Sequence, residues 1–206
     1  MPARRAPTLE DLRARLLPEP PPLPLVPQRG DYDLNPAARP ISPRALASAA
    51  VLIPIVMRAE LTVLFTTRSQ HLPRHAGQVS FPGGRSEPAD LSLTATALRE
   101  MEEEIGIRPE YVSVAGYLDA YETVTHFAVL PVVGMVQDSF TLTIDGREVD
   151  DVFEVPLSVL LDPASLEEQR LDINGQTRRV YAFRYGQYRI WGATAAMIVN
   201  LRERLR

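Results

Sequence analysis

The chain has 206 residues, 45% of them apolar, with a formal net charge of -4 and a pI near 5.5. That suffices for one good core and argues against two full domains, and it lacks the basic footprint of a nucleic-acid binder. Cysteine is absent and so is lysine, which excludes disulfides, thiolate catalysis, cysteine metal sites and Schiff bases, and leaves phosphate to arginine, backbone N–H groups or metal.

Thr8 and Asp11 have the spacing of a capping box, and Leu9, Leu12, Leu16 and Leu17 follow at helical intervals, so a short helix is predicted. The first residues, Met1 to Leu12, are charged and carry no apolar h-region, unlike a signal peptide. Pro18 to Pro27 holds six prolines and predicts an extended connector. Residues 1–44 are therefore expected to form a helical and proline-rich arm outside the main core, with one domain over 45–206. The longest apolar stretch, between Arg44 and Arg58, is interrupted by Pro54 and is too short to span a membrane.

Strands are predicted at Ala49–Met57 and Leu61–Thr67, joined by a turn at Arg58–Glu60, with a short strand near Val79. Leu91–Ile105 is the strongest helical pattern. Asp90 is the expected cap, Leu93, Ala97, Met101 and Ile105 form an apolar stripe, and Gly106 can take the left-handed residue after it. Further strands follow at Val112–Leu118 and Phe127–Val136. Asp145–Gly146 and Asn174–Gly175 are hairpin-turn dipeptides, the second flanked by Leu171–Ile173 and Val180–Tyr185. Thr194–Leu205 predicts a closing helix. Strands, helix, strands and helix in that order suggest α+β or a layered α/β/α sandwich.

Chemistry concentrates in Arg99-Glu100-Met101-Glu102-Glu103-Glu104. Residues three and four apart share a helix face, so Glu100 lies beside Glu103 and Glu104, while Met101 and Ile105 turn to the core and Glu102 to solvent. Three carboxylates near a helix C-terminus repel one another and oppose the dipole. A divalent cation with a preference for oxygen would remove both penalties. Alone, the run would read as a solvated acidic face. Just upstream, however, Phe81-Pro82-Gly83-Gly84 is a turn whose missing Cβ atoms let backbone approach a ligand.

Gly84, five residues, Asp90, eight residues, then Arg99-Glu100-Met101-Glu102-Glu103-Glu104-Ile105-Gly106-Ile107 resembles the Nudix box. It departs from that pattern by Asp90 in place of glutamate and by a spacer one residue longer. Upstream, Leu64 to Ser69, then Leu72, Arg74, His75, Gly77, Gln78, Val79 and Ser80, resemble the added signature of the coenzyme A pyrophosphatase branch, which shares the longer spacer. Val152 to Leu157 and Ile190 to Thr194 are also similar to that branch, so the resemblance covers about residues 45–205.

The resemblance implies the Nudix α/β/α sandwich with a mixed sheet, and hydrolysis of the coenzyme A diphosphate to 3′,5′-adenosine bisphosphate and 4′-phosphopantetheine. It implies Glu100, Glu103 and Glu104 as ligands of Mg²⁺ or Mn²⁺, which would activate a water. Arg99 would orient a glutamate, and Glu103 or Glu104 would take the water's proton. Substrate contacts are expected from Arg68, Arg74, His75, Gln78, Ser80, Gly83 and Gly84. Arg68 and Arg74 are the first candidates for a 3′-phosphate, with Arg178 and Arg179 in reserve. Trp191 is expected in the core. Another nucleoside diphosphate such as ADP-ribose or NADH, or an inactive nucleotide-sensing domain, stays open as an alternative. The expected setting is the cytoplasm, with a small-molecule substrate, no nucleic acid and no membrane; a homodimer stays open.

Overall fold

The computed structural model describes residues 8–39, 45–173 and 175–206. In chain order these form α1 (Leu9–Arg15), β1 (Arg29–Gly30), β2 (Ala47–Val56), β3 (Thr62–Arg68), β4 (Val79–Ser80), β5 (Gly83–Arg85), α2 (Leu93–Ile105), β6 (Val112–Tyr117) and β7 (Tyr121–Glu122). Next come β8 (Phe127–Val136), β9 (Val149–Pro156), α3 (Leu157–Leu161), β10 (Leu166–Ile173), β11 (Gln176–Tyr185), β12 (Tyr188–Trp191) and α4 (Ala193–Arg204).

The large sheet is mixed. Its path runs β1-β7-β8-β2-β3-β4, with β5 on β2, β6 on β8 and β9 on β3. At its centre β2 and β8 run parallel over ten residue pairs. A parallel pair is covered on both faces, and β2 shows why its sequence is so apolar. Ala49, Ile53 and Ile55 enter the core on one face, while Ala50, Leu52 and Val56 enter the core on the other. Pro54 sits between the residues that pair with β5, which end at Val51, and those that pair with β3, which begin at Ile55. That gap accommodates a residue without an N–H.

α2 covers one face with Leu93, Ala97, Met101 and Ile105, the stripe read from the sequence. α4 and the separate sheet β10-β11-β12 cover the other, through Phe183, Ile190, Ile198 and Leu201. The result is the expected mixed sheet between helices. Among the described residues no helix is long and apolar enough to cross a membrane.

Two expectations are corrected here. The N-terminal segment is not an arm outside the core. Its capping box forms as expected, with the Asp11 N–H donating to Thr8 Oγ1, but Leu12 and Leu16 are buried in the core shared with α4. Leu17 pairs with Tyr117, and β1 adds to β7 in parallel. Leucines at helical spacing make an amphipathic face, and the nearby sheet buries it. The expected boundary near residue 44 touches residues 40–44, outside those described. The second correction concerns α2, whose N-cap is Ser92, accepting from the Ala95 N–H, and not Asp90. Asp90 is engaged by Arg99 instead.

The strands around the second turn dipeptide are longer than expected, pairing from Leu166↔Phe183 to Ile173↔Gln176. Asn174 of that dipeptide lies outside the described residues. Asp145–Gly146 makes a turn, but it leads into β9 from irregular chain and is not a hairpin between two strands.

Candidate active site

The C-terminal end of α2 needs partners for its last carbonyls. Gly106 supplies one closure, in the left-handed region at φ 76°, with its N–H donating to the Glu102 carbonyl. The segment after Phe140 supplies two more. Thr143 N–H donates to the Ile105 carbonyl at 2.9 Å, and Asp145 N–H to the Glu104 carbonyl at 2.9 Å. The Asp145 turn then brings Glu148 to the acidic face of α2, where its charge acts on both Glu100 and Glu104. The Glu148 carbonyl also accepts from the Ser69 N–H at 2.8 Å, which fixes the turn beside Arg68.

Arg99 is the hub of the site. Its Nε and Nη2 donate to the two oxygens of Asp90 at 2.9 and 3.1 Å. Its Nη1 lies 3.0 Å from Glu100 Oε1 and 2.8 Å from Glu103 Oε2. A planar guanidinium suits such bidentate and shared contacts. It holds the Asp90 carboxyl well below the usual carboxylate range. Asp90, the departure from the box, is thus anchored to the arginine that precedes the acids.

The acids differ in environment. Burial raises the pKa of Glu100, and the neighbouring Arg99 charge opposes it. Glu104 is pushed up to about 8, first by burial and then by the Glu100 charge, while Arg68 and the Gly83 N–H act the other way. Glu103 lies on the exposed side, against Arg99. The glycine turn is shaped to this cluster: a Cβ on Gly84 would stand 2.4 Å from Glu100 Oε1, and one on Gly83 would stand 2.5 Å from the Ala50 carbonyl. Only a residue without a side chain lets the carboxylate rest there.

Among the described residues, no three acids or histidines already converge as a metal cluster. Glu100 and Glu104 are neighbours, and Glu103 is occupied by Arg99. Yet Glu104 Oε2 is buried without a hydrogen-bond partner. Such an oxygen is costly unless something binds it, and carboxylate oxygens are what a hard divalent cation selects. Glu100, Glu104 and Glu148, with Glu103 swung from Arg99, fit that demand.

Beside this cluster opens a cleft of about 1000 Å³. Arg68, His75, Gln78, Ser80, Gly83 and Gly84 all line it, as the sequence suggested. His75 Nδ1 and Gln78 Oε1 are 3.0 Å apart, and Ser80 Oγ is 3.1 Å from Thr66 Oγ1. Arg74 is exposed and is not among the lining residues. Trp191 is half-buried on the cleft wall, not in the core, with the Arg189 guanidinium 5.1 Å from its ring centroid. An aromatic ring with a polar edge suits a wet wall as well as a core. Sequence reasoning missed Glu148, which no spacing ties to α2. It also missed the wall formed by residues 29–35, though the Asp-Gly turn before Glu148 was visible.

A mixed sheet clad by helices sets an acidic helix end against a glycine turn, an arrangement whose carboxylate oxygens suit a divalent cation. Residues 47–175 match the NUDIX domain, and the chain belongs to the Nudix hydrolase family. It is 45% identical over 157 residues to a protein of Yersinia enterocolitica named "Uncharacterized Nudix hydrolase NudL", covering 76% of this chain and 80% of the relative. It is 44% identical to a protein of the same name from Escherichia coli O7:K1 over 153 residues, 74% of this chain and 80% of that one. Among solved structures, the NUDIX domain of Shewanella oneidensis NrtR complexed with ADP ribose is similar at a TM-score of 0.50 and 21% identity, covering 85% of this chain and 97% of that chain. That likeness is one of fold.

Proposed function

We propose that this Nudix hydrolase cleaves the diphosphate bond of coenzyme A, giving 3′,5′-adenosine bisphosphate and 4′-phosphopantetheine. The observation that carries the reading is the convergence of Arg68, His75, Gln78, Ser80, Gly83 and Gly84 on one cleft, beside the partnerless Glu104 oxygen. These are the residues that resemble the coenzyme A branch.

Glu100, Glu103, Glu104 and Glu148 would hold Mg²⁺ or Mn²⁺, which when bound supplies charge neutralisation at the diphosphate and lowers the pKa of a water. The chain's own groups do the rest. Arg99 holds Glu100 in place, is itself anchored by Asp90, and is a positioning residue. Arg68, whose Nε is buried without a partner, donates to a diphosphate oxygen. The Gly83–Gly84 backbone packs against the acids and lines the cleft, so a diphosphate at this end would lie beside both. Glu103 or Glu104 would accept the proton of the attacking water, through an oxygen not given to the metal.

Mass spectrometry of the products from coenzyme A with Mg²⁺ or Mn²⁺, run beside ADP-ribose and NADH, tests the reading. Adenosine bisphosphate and phosphopantetheine are the expected products. Faster turnover of ADP-ribose or NADH would reject the substrate, and no metal-dependent turnover of any of them would reject the catalytic assignment.

A further inference from the structure

The register of the large sheet measures the cleft. Arg85 of β5 stands opposite Ala49, Ala49 opposite Val129, Val129 opposite Tyr121, and Tyr121 opposite Arg29 of β1. Four strand spacings of about 4.8 Å separate Arg85 from Arg29, roughly 19 Å. Both residues line the same cleft. A diphosphate is much shorter than this span. A ligand gripped at the Gly83–Gly84 end therefore reaches the other end only through the rest of its structure.

That far end is built, and its groups are mostly committed. Asp31 is half-buried and accepts from Tyr121 Oη and from the Val124 N–H, each at 2.8 Å. Asn35 clasps the backbone of Arg179 in both directions, its Nδ2 donating to the carbonyl and its Oδ1 accepting from the N–H, each at 2.9 Å. Residues 29–35 and β11 are thereby locked together. Arg29 is paired with Glu203 at 2.5 Å, and Arg179 is paired with Glu168.

Arg178 differs. Its Nη2 donates to Gln176 Oε1 at 3.1 Å, but its Nη1 is buried with no partner. It lines the cleft, and its charge is felt by Asp31. A buried guanidinium nitrogen without an acceptor has lost the hydrogen bond it made to water. A ligand in the cleft can restore it.

We propose that Arg178 of β11, whose charge acts on Asp31 of the N-terminal segment, is an anion subsite separate from the diphosphate end, and that it reads a second anionic group on the substrate. This deepens the coenzyme A reading and rests on it. Two such groups share the required chemistry: a phosphomonoester on the ribose, and a carboxylate closing an acyl group on the thiol. Each offers several acceptor oxygens to a planar guanidinium. Residues 29–35 and Arg178 lie outside residues 47–175, which match the family.

The test uses the full chain with Mg²⁺ and two substrate pairs: coenzyme A against its 3′-dephospho form, and succinyl- against butyryl-coenzyme A. In the wild type, kcat/KM is expected to favour the anion-bearing member of one pair by at least about tenfold, mainly through KM. The responsive pair identifies the anion. Arg178→Gln is expected to bring that ratio to within about twofold of unity, and Arg178→Lys, which keeps the charge, to restore part of it. Ratios unchanged by Arg178→Gln, or near unity for both pairs in the wild type, overturn the subsite. If the wild type hydrolyses none of the four, the substrate reading falls by itself. Calorimetry then decides the subsite, with 3′,5′-adenosine bisphosphate against 5′-AMP and succinyl- against butyryl-pantetheine. An Arg178-dependent preference for either anion-bearing probe supports it, and no such preference overturns it.

Discussion

Glu104 is the residue on which the chemistry and the stability of this protein meet. In the metal-free protein its carboxyl is pushed up to about 8, from the ordinary 4.5. Between those values the folded chain keeps a proton that the unfolded chain has lost, so stability falls as pH rises from about 4.5 to about 8. Thermal melts in chelator from pH 5 to 9 should show this decline, and Glu104→Gln should flatten it. The same substitution, and Glu103→Gln, are each expected to lower kcat at least about a hundredfold with little loss of folding, since electrostatic contributions to catalysis are of that size. Near wild-type turnover of both variants at saturating metal would mean that the site is elsewhere. Arg99→Lys should reduce activity about 10–100-fold, because an ammonium cannot hold Asp90 bidentately while reaching Glu100 and Glu103. A measured kcat within about twofold of wild type would reject Arg99 as a positioning residue.

At the scale of elements, the join between α2 and the segment 143–148 matters most. A Cβ on Gly106 would stand 2.7 Å from Thr143 Cβ, and the residue is left-handed. Gly106→Ala is therefore expected to cost about 1–2 kcal/mol from backbone strain alone, read by denaturant titration. It should also weaken metal binding, because the displaced segment carries Glu148; unaltered metal affinity in a destabilised variant would detach Glu148 from the site. The contrast with the sequence is instructive here. α2 and its stripe were legible because period 3.6 is written in Leu93, Ala97, Met101 and Ile105. The cap was not, because Asp90 and Ser92 are both good caps, and Asp90 is taken up by Arg99, Thr96 and the Glu87 N–H instead. Glu148 was invisible because its approach depends on backbone hydrogen bonds from Thr143 and Asp145 to a helix far back in the chain. The cleft residues from Arg68 to Gly84 were legible only through their likeness to a family, and Arg74 among them stands outside the lining.

For the whole molecule, the two cores on either side of the sheet imply that no peripheral piece is dispensable. Leu12→Ala is expected to cost about 2–5 kcal/mol, the usual range for a buried leucine, although Leu12 belongs to a segment the sequence placed outside the core. Addition of Mg²⁺ or Mn²⁺ should raise the melting temperature, since the folded state alone gathers the acids. At a hundredfold excess over Kd the gain is about 2.7 kcal/mol. A melt indifferent to millimolar metal at a pH where the enzyme is active would contradict the ligand assignment.

The clasp between Asn35 and Arg179 has a consequence for the order in which the protein becomes functional. The cleft wall joins residues 29–35 to residues separated from them by 144 positions, and the Arg29–Glu203 pair spans 174. During synthesis these closures therefore wait until β11 and α4 have left the ribosome. Such distant closures are slow to form. The acidic helix and its glycine turn can assemble earlier, from residues much closer together. A nascent or truncated chain would then hold metal before it could discriminate among substrates, so selectivity is the property this polypeptide acquires last.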